Sequence, residues 1–364
     1  MSHMRDRLIL LNPGPVTLSQ RVRQALLRPD LCHREAEFAE LQTRIRARLL
    51  EVYELNPESW AAVLLTGSGT AALEAMVSSL VPEEGKLLVL ENGVYGERLS
   101  RIAAIHGIAR LAQHHEWGEG LDLARLGRLL EENRGITHLA VVQHETTTGR
   151  LNDLAALAAR CRPYGVQLLV DAVSSFGGEA LDFEGWGLGA CAATANKCLH
   201  GVPGASFVIV RRQVLDVGCP RTLYLDLGAY CREQDRGGTP FTQAVPAFYA
   251  LEEALSEFQD EGGWMARHRR YAALASLVRR GLIGLGIRPL LPEGASSVVL
   301  NAYHLPDGME YETLHDRLKE RGFVIYAGQG GLARRVFRVS TMGAIAREDM
   351  ERFLDAVKGI VSGA

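Results

Sequence analysis

The strongest constraint on how this chain can fold is an alternation. Short, continuously apolar runs recur along its first 211 residues: AAVLLTG (61–67), KLLVLEN (86–92), HLAVVQH (138–144), QLLVDAV (167–173), ACAATA (190–195) and ASFVIVR (205–211). Between several of them lie stretches with helical periodicity, such as TAALEAMVSSLV (70–81), RLSRIAAIHG (98–107) and DLAALAARCRPYG (153–165). A strand that is apolar at every position is buried on both faces. Strands of that kind joined through helices form a mostly parallel sheet covered on both sides. The expected fold class is α/β. From about 245 the texture changes to long amphipathic helix (244–263, then 264–282). Short strands follow at 297–303, 322–328 and 336–341, with a closing helix at 346–361. This reads as a smaller α+β domain, so the expected divisions are an N-terminal segment (1–20), a large domain (21–244) and a small domain (245–364). A chain of 364 residues has room for both cores.

Composition excludes several classes of partner. Net charge is −3, which offers nothing to nucleic acid or an anionic membrane. No apolar run reaches the roughly 18–20 residues that span a bilayer. The start, MSHMRDR, has no apolar signal core and reads as a cloning remnant, so His3 carries no argument. The six cysteines are scattered without a C-x-x-C pair and read as reduced thiols of a cytoplasmic enzyme.

In an open α/β sheet, ligands sit outside the carboxyl ends of the strands. After the first run comes TGSGT, in which Ser68, Gly69 and Thr70 open a helix. Such a turn presents N–H groups and hydroxyls to an anion, typically phosphate. Read alone, it is also an ordinary turn with a Ser or Thr cap. The second run ends in ENGVYGER, putting Tyr95 where an aromatic ring either covers a planar ligand or simply packs. The third ends in HETTTG, with hydroxyls at 146–148. The fourth delivers Asp171 directly out of a buried strand, and a carboxylate there wants a cationic partner.

The fifth run leads to ANKCLHG. Lysine is scarce in this chain: Lys86, Lys197, Lys319 and Lys358 leave 36 of 40 basic residues as Arg. Between Glu184 and Arg211, Lys197 is the only fully charged side chain. A desolvated lysine is costly unless it is paired or neutralised. A lone lysine, a buried carboxylate, a phosphate turn and a capping aromatic on one sheet edge together suit pyridoxal phosphate. That cofactor needs an amine for its aldehyde, an acid at its pyridine nitrogen, an anion cradle and a face for its ring.

With these residues in view, the chain resembles the class V aminotransferases of fold-type I, most closely the branch of 2-aminoethylphosphonate–pyruvate transaminases. The likeness runs from LNPGPVT (11–17) through LLTGSGTAALEA, NGVYGER, HETTTGRLN, VDAVSSFGG and ANKCLHGVPGASFVI to GFVIYAG and FRVSTMG. It implies a mostly parallel seven-stranded sheet in the large domain. Lys197 would be the Schiff-base lysine and proton shuttle, with Asn196 before it, and Asp171 would sit on the pyridine nitrogen. Ser68, Gly69 and Thr70 would hold the phosphate, Thr146 the ring hydroxyl, and Tyr95 would lie over the ring. Thr242 matches a segment that reaches the neighbouring subunit's phosphate, which implies a homodimer with shared sites. Arg338 matches the arginine that grips a substrate carboxylate or phosphonate, and its planar fork suits an anionic oxygen pair. Without the resemblance it would equally be a solvated arginine.

LCHREAEF (31–38) departs from that branch and is more similar to alanine– and serine–glyoxylate aminotransferases. There His33 and Arg34 would add positive character near the substrate entrance, although His33 also reads as a plain surface residue before a helix. Alanine– or serine–glyoxylate transamination is thus the runner-up activity. A desulfurase would need a cysteine on a small-domain loop, and none lies beyond Cys231. A scaffold without catalysis would have lost Lys197 or Asp171.

Overall fold

The computed structural model describes residues 8–363; the MSHMRDR segment and its His3 lie outside them. Seven strands form the main sheet: β1 (Trp60–Gly67), β2 (Lys86–Glu91), β3 (Arg110–His114), β4 (Ile136–Val142), β5 (Gln167–Asp171), β6 (Leu188–Thr194) and β7 (Gly204–Arg211). Their spatial order is β1-β7-β6-β5-β4-β2-β3. All run parallel except β7, which is antiparallel to both of its neighbours.

The two-residue period of a strand explains the continuous apolar runs. In β1, Trp60, Ala62 and Leu64 join one core with helices Ala36–Glu51, Leu154–Cys161 and Val245–Asp260. Ala61, Val63 and Leu65 join the other, with helices Gly69–Leu80, Val94–Ile105 and Leu227–Asp235. Both faces of the sheet are therefore covered, as the alternation requires.

A third core holds Leu274, Val278 and Leu282 of the long helix Gly263–Gly284, strands Leu300–His304 and Val336–Ser340, and Phe353 of the closing helix. Ile9 and Leu11 from the start of the chain also belong to it. The cores thus divide the chain elsewhere than at residue 245. Helix Val245–Asp260 packs Phe248, Leu251, Leu255 and Phe258 into the first core of the main sheet. Its amphipathic pattern announces a helix but not which of two hydrophobic surfaces it will cover. No helix among the described residues is long and apolar enough to cross a membrane.

Candidate active site

The parallel strands deliver their following residues to one edge, where a cavity is lined by Thr70, Tyr95, Arg98, His144, Asp171 and Lys197, among others. Thr146 lines it too. Of the residues singled out in the sequence, five therefore meet directly: Lys197, Asp171, Thr70, Tyr95 and Thr146.

Asp171 closes β5 and is 3 % exposed; its Oδ1 accepts the Val173 N–H at 2.9 Å. It forms no ion pair among the described residues. Burial pushes its carboxyl up to about 7, against a smaller lowering by the Val173 N–H. Lys197 follows β6 on a short turn, and burial lowers its amine to about 8. Its Nζ donates to the Pro13 carbonyl and lies against Gly14, where a Cβ would come within 2.7 Å of Nζ. The cavity holds about 30 Å³.

Ser68 is the N-cap of helix Gly69–Leu80, yet its side chain makes no capping hydrogen bond. The hydroxyl and the helix's first N–H groups are left for an anion. Gly69 is required here because a Cβ would meet Val173 at 2.9 Å, and this close approach brings the helix start to the strand end of Asp171.

Tyr95 opens helix Val94–Ile105, and the buried Glu145 fixes that opening. Its Oε2 accepts the N–H groups of Tyr95 and Gly96 at 3.2 Å each, while Oε1 accepts from Thr147 Oγ1 at 2.6 Å. Burial raises the Glu145 carboxyl despite these donors. Glu145 is a cap that comes from 50 residues away, and sequence reading gave it no role. Arg98, likewise missed, lies one turn after Tyr95. Its guanidinium sits 4.6 Å from the Tyr95 ring centroid and donates to Thr70 Oγ1 at 3.2 Å. The i, i+3 spacing within NGVYGER was the available signal for that pair.

Arg338 comes from strand Val336–Ser340 and is 2 % exposed, so the solvated alternative is excluded. It forms no ion pair among the described residues, and burial lowers its affinity for its proton. Its fork is not wholly free. Nε donates to the Ala327 carbonyl at 2.8 Å, and Nη1 donates to the Thr146 carbonyl at 2.9 Å and to Gln329 Oε1 at 3.3 Å. Nη2 remains for a ligand. Gln329, which also accepts from Thr147 Oγ1 at 3.4 Å, was invisible in the sequence because its partners come from elsewhere in the fold.

The remaining residues lie outside the cavity lining. Asn196 adjoins Lys197 and accepts from Thr194 Oγ1 at 2.8 Å. Thr242 is exposed. Arg34 donates to the Thr239 carbonyl at 3.0 Å, and His33 is half-buried beside it. The structure ties Arg34 to the segment of Thr242, and neither residue lines the Lys197 cavity of the same chain.

This sheet, with its single antiparallel strand and with Lys197 after β6, is the large domain of the fold-type I pyridoxal-phosphate enzymes. Within that class the chain belongs to the class V aminotransferases, whose family model matches residues 23–353. A 2-aminoethylphosphonate–pyruvate transaminase of Bacillus cereus is 36% identical over 362 residues, 98% of each chain. Among solved structures, a subgroup IV aspartate aminotransferase from Thermus thermophilus has 30% identity and a TM-score of 0.89, covering 98% of this chain and 99% of its own. An alanine–glyoxylate aminotransferase from Nostoc sp. has 27% identity and a TM-score of 0.90, covering 97% and 95%.

The protein is a pyridoxal-phosphate-dependent aminotransferase, acting on an amino donor and an oxo acid. Its residues fit that cofactor on three counts. Among the described residues, a buried carboxyl lacks a cationic partner, the Ser68 hydroxyl at a helix start makes no capping hydrogen bond, and the His144 Nε2 on the cavity wall has no hydrogen-bond partner.

Proposed function

We propose that this aminotransferase exchanges the amino group of 2-aminoethylphosphonate with the oxo group of pyruvate, giving phosphonoacetaldehyde and alanine, in either direction. The observation that carries the reading is the buried Arg338, a guanidinium without an acidic partner among the described residues, whose Nη1 holds the Thr146 carbonyl while Nη2 makes no hydrogen bond among them. A cation in that position is tolerable when an anion completes it, and both the phosphonate and the pyruvate carboxylate can do so in turn. The name carried by relatives at 36% identity supports the same substrates.

Pyridoxal phosphate, when bound, supplies an aldehyde that receives the amino group and an electron-poor ring that eases loss of a proton from the neighbouring carbon. Asp171 would hold the ring nitrogen's proton, since a carboxyl made reluctant to ionise by burial ionises readily once a cation faces it. Lys197, with its amine lowered to about 8, would take up that carbon's proton and return it at the other end of the reaction. Ser68, Gly69 and Thr70 would hold the phosphate, with Arg98 steadying Thr70. Tyr95 would cover the ring, and Thr146 would meet the ring hydroxyl. Asn196 would keep Lys197 in place.

Thr242, exposed and away from its own cavity, would complete the partner's site in a homodimer. The exposed Leu223 (84 %) and Tyr224, which packs 5.1 Å from Phe241, supply apolar surface beside it for a second copy to cover. His33 and Arg34 would then flank the partner's substrate entrance.

The test is a panel of amino donors with pyruvate and glyoxylate as acceptors, scored by the oxo acid and aldehyde formed. 2-Aminoethylphosphonate with pyruvate should give the highest kcat/KM. A clear win for alanine or serine with glyoxylate would replace this reading with the glyoxylate one.

A further inference from the structure

A second cavity, about 570 Å³, lies where the start of helix Gly263–Gly284 meets the segment Glu179–Trp186 and the end of β4. It shares no lining residue with the Lys197 cavity. Its walls are rich in donors with no partner among the described residues: the indole N–H groups of Trp186 and Trp264, Nε2 of His268 and the guanidinium of Arg269. His268 is held in orientation, its Nδ1 bonded to the Gly178 carbonyl at 2.9 Å and 3.3 Å from Glu179 Oε2. Trp264 stands edge-on to it, with ring centroids 6.5 Å apart.

Two acids also line the cavity, each with hydrogen bonds of its own. Glu179 is 2 % exposed, and its Oε1 accepts from Ser297 Oγ at 2.5 Å and from the Val298 N–H at 3.0 Å. Asp153 turns to its own helix, where Oδ1 accepts the Ala156 N–H at 2.9 Å. Gln143, 3 % exposed, also lines the cavity; its Nε2 donates to the Ala180 carbonyl, and its Oε1 has no hydrogen-bond partner among the described residues.

Two indoles give flat apolar walls, while an oriented imidazole and an unpaired guanidinium on adjacent residues give positive charge at one end. Glu179, accepting from His268, favours the charged form of the imidazole. We propose that this cavity is a second ligand site that takes a small organic anion with a planar apolar body, the acid group between His268 and Arg269 and the ring against Trp186 and Trp264. Such a ligand sits on the contact that ties the two domains. Glu179, which orients His268, also holds Ser297 and Val298 at the entrance to strand Leu300–His304, and that strand pairs with the one carrying Arg338.

The experiment is a calorimetric titration of the holoenzyme with naphthalene-2-sulfonate, alone and with saturating 2-aminoethylphosphonate. The expected result is one site per chain, unaffected by the amino donor. Affinity should fall by at least about tenfold in Arg269→Glu and in His268→Gln, as loss of a charge-assisted contact implies. Both variants should keep the parent kcat/KM for transamination. Absence of binding heat in the parent overturns the proposal, as does unchanged affinity in both variants. Loss of the heat when the amino donor is added would assign the probe to the Lys197 cavity and overturn it equally.

Discussion

Asp171 and Lys197 are buried within one cavity with their proton affinities displaced in opposite senses, and this makes the cofactor-free chain sensitive to pH at two separate windows. The Asp171 carboxyl is raised from 3.8 to about 7. Between those values the folded chain keeps a proton that the unfolded chain has released, so stability falls as pH rises through the window. The Lys197 amine is lowered from 10.5 to about 8. Between those values the unfolded chain holds the extra proton, so stability rises with pH there. Urea midpoints of cofactor-free protein should therefore pass through a minimum near pH 7–8. Asp171→Asn should flatten the acid side and Lys197→Met the alkaline side. An acid-side slope unchanged in Asp171→Asn would show that its carboxyl ionises normally. Arg338 yields a prediction about activity. Its Nε and Nη1 hold the Ala327 and Thr146 carbonyls while Nη2 is free, so Arg338→Lys must abandon either the backbone or the substrate. Losing one charge-assisted contact costs on the order of 1.5–3 kcal/mol, roughly a ten- to hundredfold drop in kcat/KM. The drop should appear with the amino donor and with the oxo acid alike if one anion site serves both. A loss confined to one half-reaction would mean two anion sites.

At the scale of elements, the opening of helix Val94–Ile105 depends on a carboxylate from the segment after β4. Glu145→Ala leaves the Tyr95 and Gly96 N–H groups and Thr147 without their acceptor, which should cost about 1–3 kcal/mol in urea unfolding. Pyridoxal phosphate should be held more weakly as well, because Tyr95 loses its anchor; equilibrium dialysis measures this. Glu145→Gln, which keeps an acceptor, should do less harm, and equal damage by both variants would argue against the capping role. That long-range cap also explains what the sequence did and did not reveal. The apolar runs located six of the seven main strands, because a strand buried on both faces must be apolar throughout. The seventh, β3, reads RLAQH; it lies at the sheet edge with Arg110 and His114 exposed, so it leaves no apolar run. Helix Val94–Ile105 begins four residues before the pattern at 98, because its first turn is stabilised by Glu145 and not by periodicity. Lys197 and Asp171 stood out since a charge emerging from an apolar strand is costly and conspicuous. Arg98 and Gln329 did not, since each acquires meaning only from Thr70, Thr147 or Arg338, which the fold brings to it.

The whole molecule raises the question of why Thr242 should matter, since it is exposed and absent from the cavity of its own chain. If it completes the partner's phosphate site, the two defects Lys197→Ala and Thr242→Arg fall in the same site of a mixed dimer. A hybrid dimer then contains one site with both defects and one with neither. That second site combines Lys197 of the Thr242→Arg chain with Thr242 of the Lys197→Ala chain. Each variant alone should be inactive or nearly so. Random reassortment makes half of the dimers hybrid, with one sound site in each, so the mixture should recover about a quarter of the parent activity. Differently tagged chains allow the hybrids to be isolated and counted, which separates failure to exchange from failure to complement. Isolated hybrids with no more activity than the parent variants would mean that Thr242 serves its own chain. Arg34, tied to the same segment through Thr239, and His33 next to it in the chain would then lose their place at the partner's entrance as well.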